Sequence, residues 1–184
     1  MLRVRTGDVH AYELLYRRYQ RRLADFFYGL SRDAALADDL VHETFLRIWR
    51  LRARYAASGS FPAYVFTIAR NIWLEDCRTQ RKSTRMGRRC DLDAGPELSA
   101  SASARPDVRA ERNELEAALG RALDALPEEQ RTAFLLRTVQ RMSLDDIARV
   151  MGCPVNTVRS RKLLAVKKLR ELLAAVFCKT DLTA

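Results

Sequence analysis

From Asp8 to Leu30 the large apolar residues Tyr12, Leu15, Tyr16, Tyr19, Leu23, Phe26 and Phe27 return at three- and four-residue steps, with Arg17, Arg18, Arg21 and Arg22 between them. That spacing predicts an amphipathic helix. A second pattern begins near Ala35 and runs through "LADDLVHETFLRIWRL", where Val41, Phe45 and Ile48 form one stripe and Asp39, His42, Glu43 and Leu46 another. After the break "ASGS" a third helix is expected from about Phe61 to Arg78. Its Pro62 falls in the first turn, where a missing N–H costs no intrahelical bond.

The stretch "RTQRKSTRMGRRCDLDAGPELSASASARPD" has almost no large apolar residues, carries six basic residues from Arg78 to Arg89, and ends in a Ser/Ala/Pro tract. Such a composition cannot build a core and predicts a flexible linker between two independently moving domains. Helical periodicity returns at "ERNELEAALGRALDALP", stops at Pro127 and resumes with "EEQRTAFLLRTVQ". No window alternates apolar and polar residues long enough to suggest a sheet. The expected fold is all-α: two small helical domains, residues 1–79 and 113–178, joined by a linker over 80–112.

The segment "SLDDIARVMGCPVNTVRSRK", Ser143 to Lys162, predicts two short helices hinged at a glycine. Ser143 suits an N-cap with Asp146 three residues on, Gly152 suits a left-handed helix end, and Pro154 suits the first turn of the next helix. Ile147, Ala148 and Met151 would face inward and meet Val155 and Val158. Asn156, Thr157, Arg159, Ser160, Arg161 and Lys162 would then face solvent. In a helix-turn-helix the second helix lies in the major groove, where Arg can fork to guanine and Asn to adenine. A corner in a helical bundle with a solvated basic face is the alternative.

Charge favours the first reading. The 184 residues carry 33 Lys and Arg against 23 Asp and Glu, a net +10, so the natural partners are polyanions. Cys77, Cys90, Cys153 and Cys178 form no CxxC pair, and only His10 and His42 could complete a metal site, so reduced structural thiols and no metal or other cofactor are expected. The start "MLRVRTGD" is not a signal peptide and no segment is apolar enough to insert in a membrane, so a cytoplasmic protein is expected. Phosphate-cradling glycine loops, HxE with CxxC and a carboxylate cluster are missing from the sequence, which argues against an enzyme.

The acidic and apolar stripe Asp39, His42, Glu43 and Leu46 has no evident use in a purely DNA-binding protein and suggests a protein partner, with a solvated helix face as the alternative. "ADDLVHETFLRIW" closely resembles the core-binding helix of bacterial RNA polymerase sigma factors. "FPAYVFTIARNIWLEDCR" resembles their promoter-melting helix, and "LDALPEEQRTAFLLRTVQRMSLDDIARVMGCPVNTVRSR" their carboxy-terminal DNA-binding domain. The order, the spacing and the intervening linker match the two-domain extracytoplasmic-function group.

The resemblance implies a region 2-like bundle that docks on the coiled coil of the polymerase's largest subunit and a region 4-like helix-turn-helix that reads the minus-thirty-five element. By position it places Asp39, His42, Glu43 and Leu46 on the core-binding face and Arg70, Asn71, Trp73 and Arg78 at the melted minus-ten strand. It places Asn156, Thr157, Arg159, Ser160, Arg161 and Lys162 on the recognition helix, and the loop "RYAASGSF", Arg54 to Phe61, where a flipped base is captured. Trp73 and Tyr64 could stack bases, with core packing as the alternative. The chain departs from the family after "TVRSR", where "KLLAVKK" puts Leu163, Leu164 and Val166 in place of polar phosphate contacts. The implied function is a promoter-specificity subunit whose partners are core RNA polymerase, promoter DNA and an anti-sigma factor. The alternative is a stand-alone helix-turn-helix regulator.

Overall fold

A computed structural model describes residues 1–57, 59–85 and 106–180, and every regular element among them is helical. The first half holds α1 (Leu2–Arg5), α2 (Val9–Ser31), α3 (Ala34–Arg50), a single 3-10 turn (Arg52–Arg54) and α4 (Phe61–Arg85). The second holds α5 (Pro106–Asp124), α6 (Glu128–Thr138), α7 (Leu144–Met151) and α8 (Val155–Thr180).

Local chemistry sets the ends. The amides of Ala11 and Leu36 donate to the carboxylates of Asp8 and Asp33 at 2.9 and 3.1 Å, each acid capping the helix it precedes. Arg32, at φ 59, closes α2 in the left-handed region. The Asp146 amide donates to Ser143 Oγ at 3.1 Å, as the capping reading expects. The reciprocal half of that box is not made, because the Asp146 carboxylate is drawn to Ser60 of the first half, whose hydroxyl donates to it at 2.8 Å. Gly152 ends α7 at φ 61, and α8 begins one residue past Pro154.

The predicted stripes are the buried ones. Leu23, Phe26 and Phe27 of α2 pack with Val41, Phe45 and Ile48 of α3 and with Phe66, Ala69 and Ile72 of α4. Phe26 meets Phe66 edge-on at 5.4 Å between ring centres, the arrangement aromatic quadrupoles favour. The four-residue α1 was not anticipated; it inserts the fully buried Val4. In the second half Ala122 and Leu123 of α5, with Leu126 just past its end, pack on Ala165 and Leu169 of α8, while Ile147, Val150, Met151 and Val158 close the helix-turn-helix.

The two halves do not form separate cores. Leu135, Leu136, Met142, Ile147 and Val158 of the second half belong to one continuous apolar cluster with Leu23, Phe26 and Phe66 of the first. Leu135 lies so close to Gly29 that a Cβ there would stand 2.7 Å from its Cδ2. In this conformation apolar residues assigned to each half's own core also pack across the seam. Gln80–Arg85 continue α4 and α5 starts at Pro106, with proline at the first helical position; the rest of the expected linker, residues 86–105, lies outside the described residues. Among the described residues no helix is long and apolar enough to cross a membrane.

Gly152→Ala would force an L side chain into the left-handed region, although nothing lies within 4 Å of the added Cβ. The expected cost is about 1–2 kcal/mol, read as a lower urea midpoint with unchanged slope. An unchanged midpoint would show that the turn relaxes to another conformation without cost.

Candidate functional site

The second stripe of α3 is a surface. Asp39, His42 and Leu46 are exposed and Glu43 is partly so, while Leu40, Val41, Thr44, Phe45 and Ile48 on the other side are buried. His42 Nδ1 lies 2.8 Å from the Asp38 carbonyl, and since a carbonyl only accepts, Nδ1 carries the proton and Nε2 is turned outward. Arg47 spans Glu43 of its own helix at 3.1 Å and Glu75 of α4 at 2.7 Å. The Glu75 hydrogen bond is the main cause that holds this guanidinium above its usual range. Leu46 is a large apolar side chain 49% exposed beside three polar residues, a surface that water alone does not favour.

The residues expected at melted DNA are split by the structure. Asn71 and Arg78 are exposed on α4. Arg70 is mostly covered: its Nη2 donates to Glu129 Oε1 of α6 at 2.8 Å. Trp73 is 7% exposed within the shared core, with its indole N–H enclosed and unpaired, so in this arrangement the ring packs and does not present a DNA-facing surface. Helical register puts it on the face that α4 turns toward its neighbours, where the ring gains more from burial than from water. One turn on, burial pushes the Cys77 thiol up to about 11, so at neutral pH it is an unreactive thiol.

Between the 3-10 turn and α4, a cavity of about 150 Å³ is lined by Tyr55, Ala56, Gly59, Ser60, Ala63, Tyr64, Thr67 and Arg149. Most of these belong to or adjoin the expected base-capturing loop; Arg149 comes from α7. Tyr64 stands edge-on to Tyr55 at 4.9 Å with its hydroxyl enclosed and unpaired, and burial, reinforced by Tyr55, raises its pKa.

On α8, Asn156, Arg159 and Ser160 are exposed and Thr157 and Lys162 partly so, while Val158 is fully buried against α7. The helix therefore presents one polar, basic face, as the register argument requires. Ser160 Oγ donates to the Asn156 carbonyl at 3.0 Å. Arg161 is folded back. Its Nη1 donates to Cys153 Sγ at 3.3 Å and lies 2.9 Å from Glu129 Oε2, at ion-pair distance but without hydrogen-bond alignment. Leu163 and Leu164 are 59% and 53% exposed, so the departure at "KLLAVKK" places apolar side chains at the surface.

Several residues that matter to this surface were not singled out by sequence. Arg22 donates from Nε and Nη2 to the side-chain and backbone oxygens of Gln140 at 3.1 and 2.9 Å, and Gln140 Nε2 donates to the Arg22 carbonyl at 2.9 Å. Glu129, Asp146 and Arg149 reach across the same seam. An acid in a first helical turn is ordinary helix chemistry, so nothing in the pattern could mark Glu129.

The Sigma-70 region 2 family matches residues 15–83 and the Sigma-70, region 4 family matches residues 116–169. The RNA polymerase sigma-H factor of Pseudomonas aeruginosa is 32% identical over 168 residues, covering 86% of this chain and 84% of its own. The ECF RNA polymerase sigma factor EcfG of Rhodopseudomonas palustris is 35% identical over 151 residues, 82% of this chain and 78% of that one. CarQ of Myxococcus xanthus, an RNA polymerase sigma factor, is 34% identical over 173 residues, 94% and 95% of the two chains. Among solved structures, the sigma factor RpoE of Bartonella quintana in complex with the anti-sigma factor NepR matches with a TM-score of 0.75 at 23% identity, covering 89% of this chain and 97% of that one. CnrH in complex with the cytosolic domain of CnrY matches with a TM-score of 0.68 at 24% identity, covering 94% of each chain. At these identities the two structures bear on the fold alone.

Proposed function

Because this chain belongs to the extracytoplasmic-function group of RNA polymerase sigma factors, we propose that its α3 face docks on core polymerase while α4, the Arg54–Phe61 loop and α8 contact the promoter. The chain is a promoter-specificity subunit and not an enzyme: it directs polymerase to a start site and helps open the DNA. The site of that work is the cytoplasm, where the template is. An anti-sigma factor is the further protein partner, by analogy with the complexes of RpoE with NepR and CnrH with CnrY.

The observation that carries the docking assignment is the division of α3. Its apolar stripe is committed to the core, whereas Asp39, His42 and Leu46 stay exposed with Glu43 beside them. An apolar side chain on a stripe that also carries two acids fits a partner surface that is apolar at its centre with basic groups beside it. On α4, Asn71 and Arg78 are the exposed contacts to melted DNA, and Arg70 joins them once it leaves Glu129. The cavity under Tyr55 and Tyr64 suits a flipped base, where aromatic rings supply stacking that tolerates any base. On α8, Asn156, Thr157, Arg159, Ser160, Arg161 and Lys162 read or flank the upstream element.

Asp39→Arg with Glu43→Arg reverses two charges on this face and leaves Val41, Phe45 and Ile48 untouched. If the face is desolvated in the complex, mispaired charge costs about 2–5 kcal/mol, so capture of core polymerase should fall by orders of magnitude while circular dichroism keeps its helical signature. A folded double variant that binds core and transcribes like the parent would remove this face from the interface.

Within the polymerase-bound form, Arg161→Ala should relax discrimination at one base pair of the upstream element by about 1–3 kcal/mol. Lys167→Ala, at a side chain 76% exposed, should weaken binding to all sequences alike and lower the salt slope by about one. Equal loss on every promoter variant for Arg161→Ala would reduce its role to a phosphate contact.

A further inference from the structure

Arg70 and Arg161 stand on different halves of the chain, on two helices assigned above to two different promoter elements, yet both end on one carboxylate. Glu129 Oε1 accepts from Arg70 Nη2 at 2.8 Å and Glu129 Oε2 lies 2.9 Å from Arg161 Nη1. The Arg70 side chain is only 14% exposed in this arrangement and Arg161 28%. A carboxylate presents a guanidinium with two oxygens much as a phosphodiester does. We propose that Glu129 is an internal stand-in for DNA phosphate, a clasp that holds the free chain closed with two of its DNA-binding arginines occupied; this rests on the assignment of those arginines to promoter contacts.

Two further contacts act in the same sense. Ser60 of the base-capturing loop donates to Asp146 at 2.8 Å, and Arg149 of α7 lines the cavity beside Gly59, 3.4 Å from where a Cβ would stand. Two of the three DNA-facing elements, α4 and the loop, are therefore engaged by polar groups of the opposite half, and the third, α8, is held by the same Glu129 from within its own half. With both arginine heads against one carboxylate, no duplex groove, about 12 Å across, can lie between α4 and α8. The chain must open to bind promoter, and DNA phosphate competes with Glu129 for the same guanidinium groups. Apparent affinity is lowered by the fraction of molecules that are closed. A closed fraction of about nine in ten corresponds to about a tenfold loss.

The test uses the full chain without polymerase, with a fluorescent 30-base-pair duplex of arbitrary sequence as probe, so that no promoter need be known. Glu129→Gln keeps the shape and removes the charge. Glu128→Gln removes an equal charge from the neighbouring position, which pairs with neither arginine, and controls for the general gain from one less acid. Gly29→Leu pries α2 from Leu135 without altering charge, and reaches the open form should Glu129→Gln perturb folding. Glu129→Gln and Gly29→Leu should each bind the duplex about tenfold more tightly than the parent and show a larger radius of gyration by small-angle X-ray scattering, with Glu128→Gln close to the parent in both. Glu129→Gln equal to Glu128→Gln in affinity and in size would overturn the clasp. Expansion of Glu129→Gln and Gly29→Leu with no gain in DNA affinity would also overturn the proposal, and would place the fault in the assignment of Arg70 and Arg161 to DNA.

Discussion

Leu135 rests on α2 at Gly29, the single position along that helix where there is no side chain to keep it away. Much else follows from this contact. It brings α6 within reach of α2, which sets Gln140 against Arg22 and lets Ile147, Met151 and Val158 share a core with Phe26 and Phe66. Burying a leucine of this kind is worth about 1.5–3 kcal/mol. The polar contacts along the seam add less, because each exchanges a bond to water for a bond to protein. Apolar burial therefore supplies most of the attraction between the halves, and the polar contacts decide the register and tip the balance between closed and open.

Most helices were legible from spacing because a helix buries one stripe, and the stripe repeats every three or four residues whatever it packs against. Ser143 and Gly152 were readable as ends because capping is local chemistry, and the same chemistry, not singled out in the sequence, places Asp8 and Asp33. The residues that join the halves were not. Arg22 reads as one of four solvated arginines, yet it lies over the rings of Tyr19 and Phe66 at 5.3 and 5.6 Å and bonds a residue 118 positions away. No pattern along a single helix encodes a pairing at that distance. The carboxy end of α4 was read as linker for its lack of large apolar residues, although Arg, Lys and Gln are good helix formers.

The candidate site was legible by the same division. The α3 face could be named because its exposed and buried stripes differ in chemistry, and the α8 face because Val158 sets the register of its polar neighbours. Trp73 was harder, since an aromatic at a helical position serves stacking and burial equally well until its neighbours are known. Arg161 kept its place on the helix but not its partner. Its head turns toward Cys153 and Glu129, which only the packing of α6 against α8 could reveal.

Gln140 is 5% exposed, and its amide is matched on both sides by Arg22. A buried amide tolerates no partial version of that arrangement: a slip of α6 along α2 by one residue would strand a donor and two acceptors in an apolar setting. Intermediate positions are thus costlier than either end point, and the two halves should dock or part as a switch with two states, crossing between them in a single cooperative step.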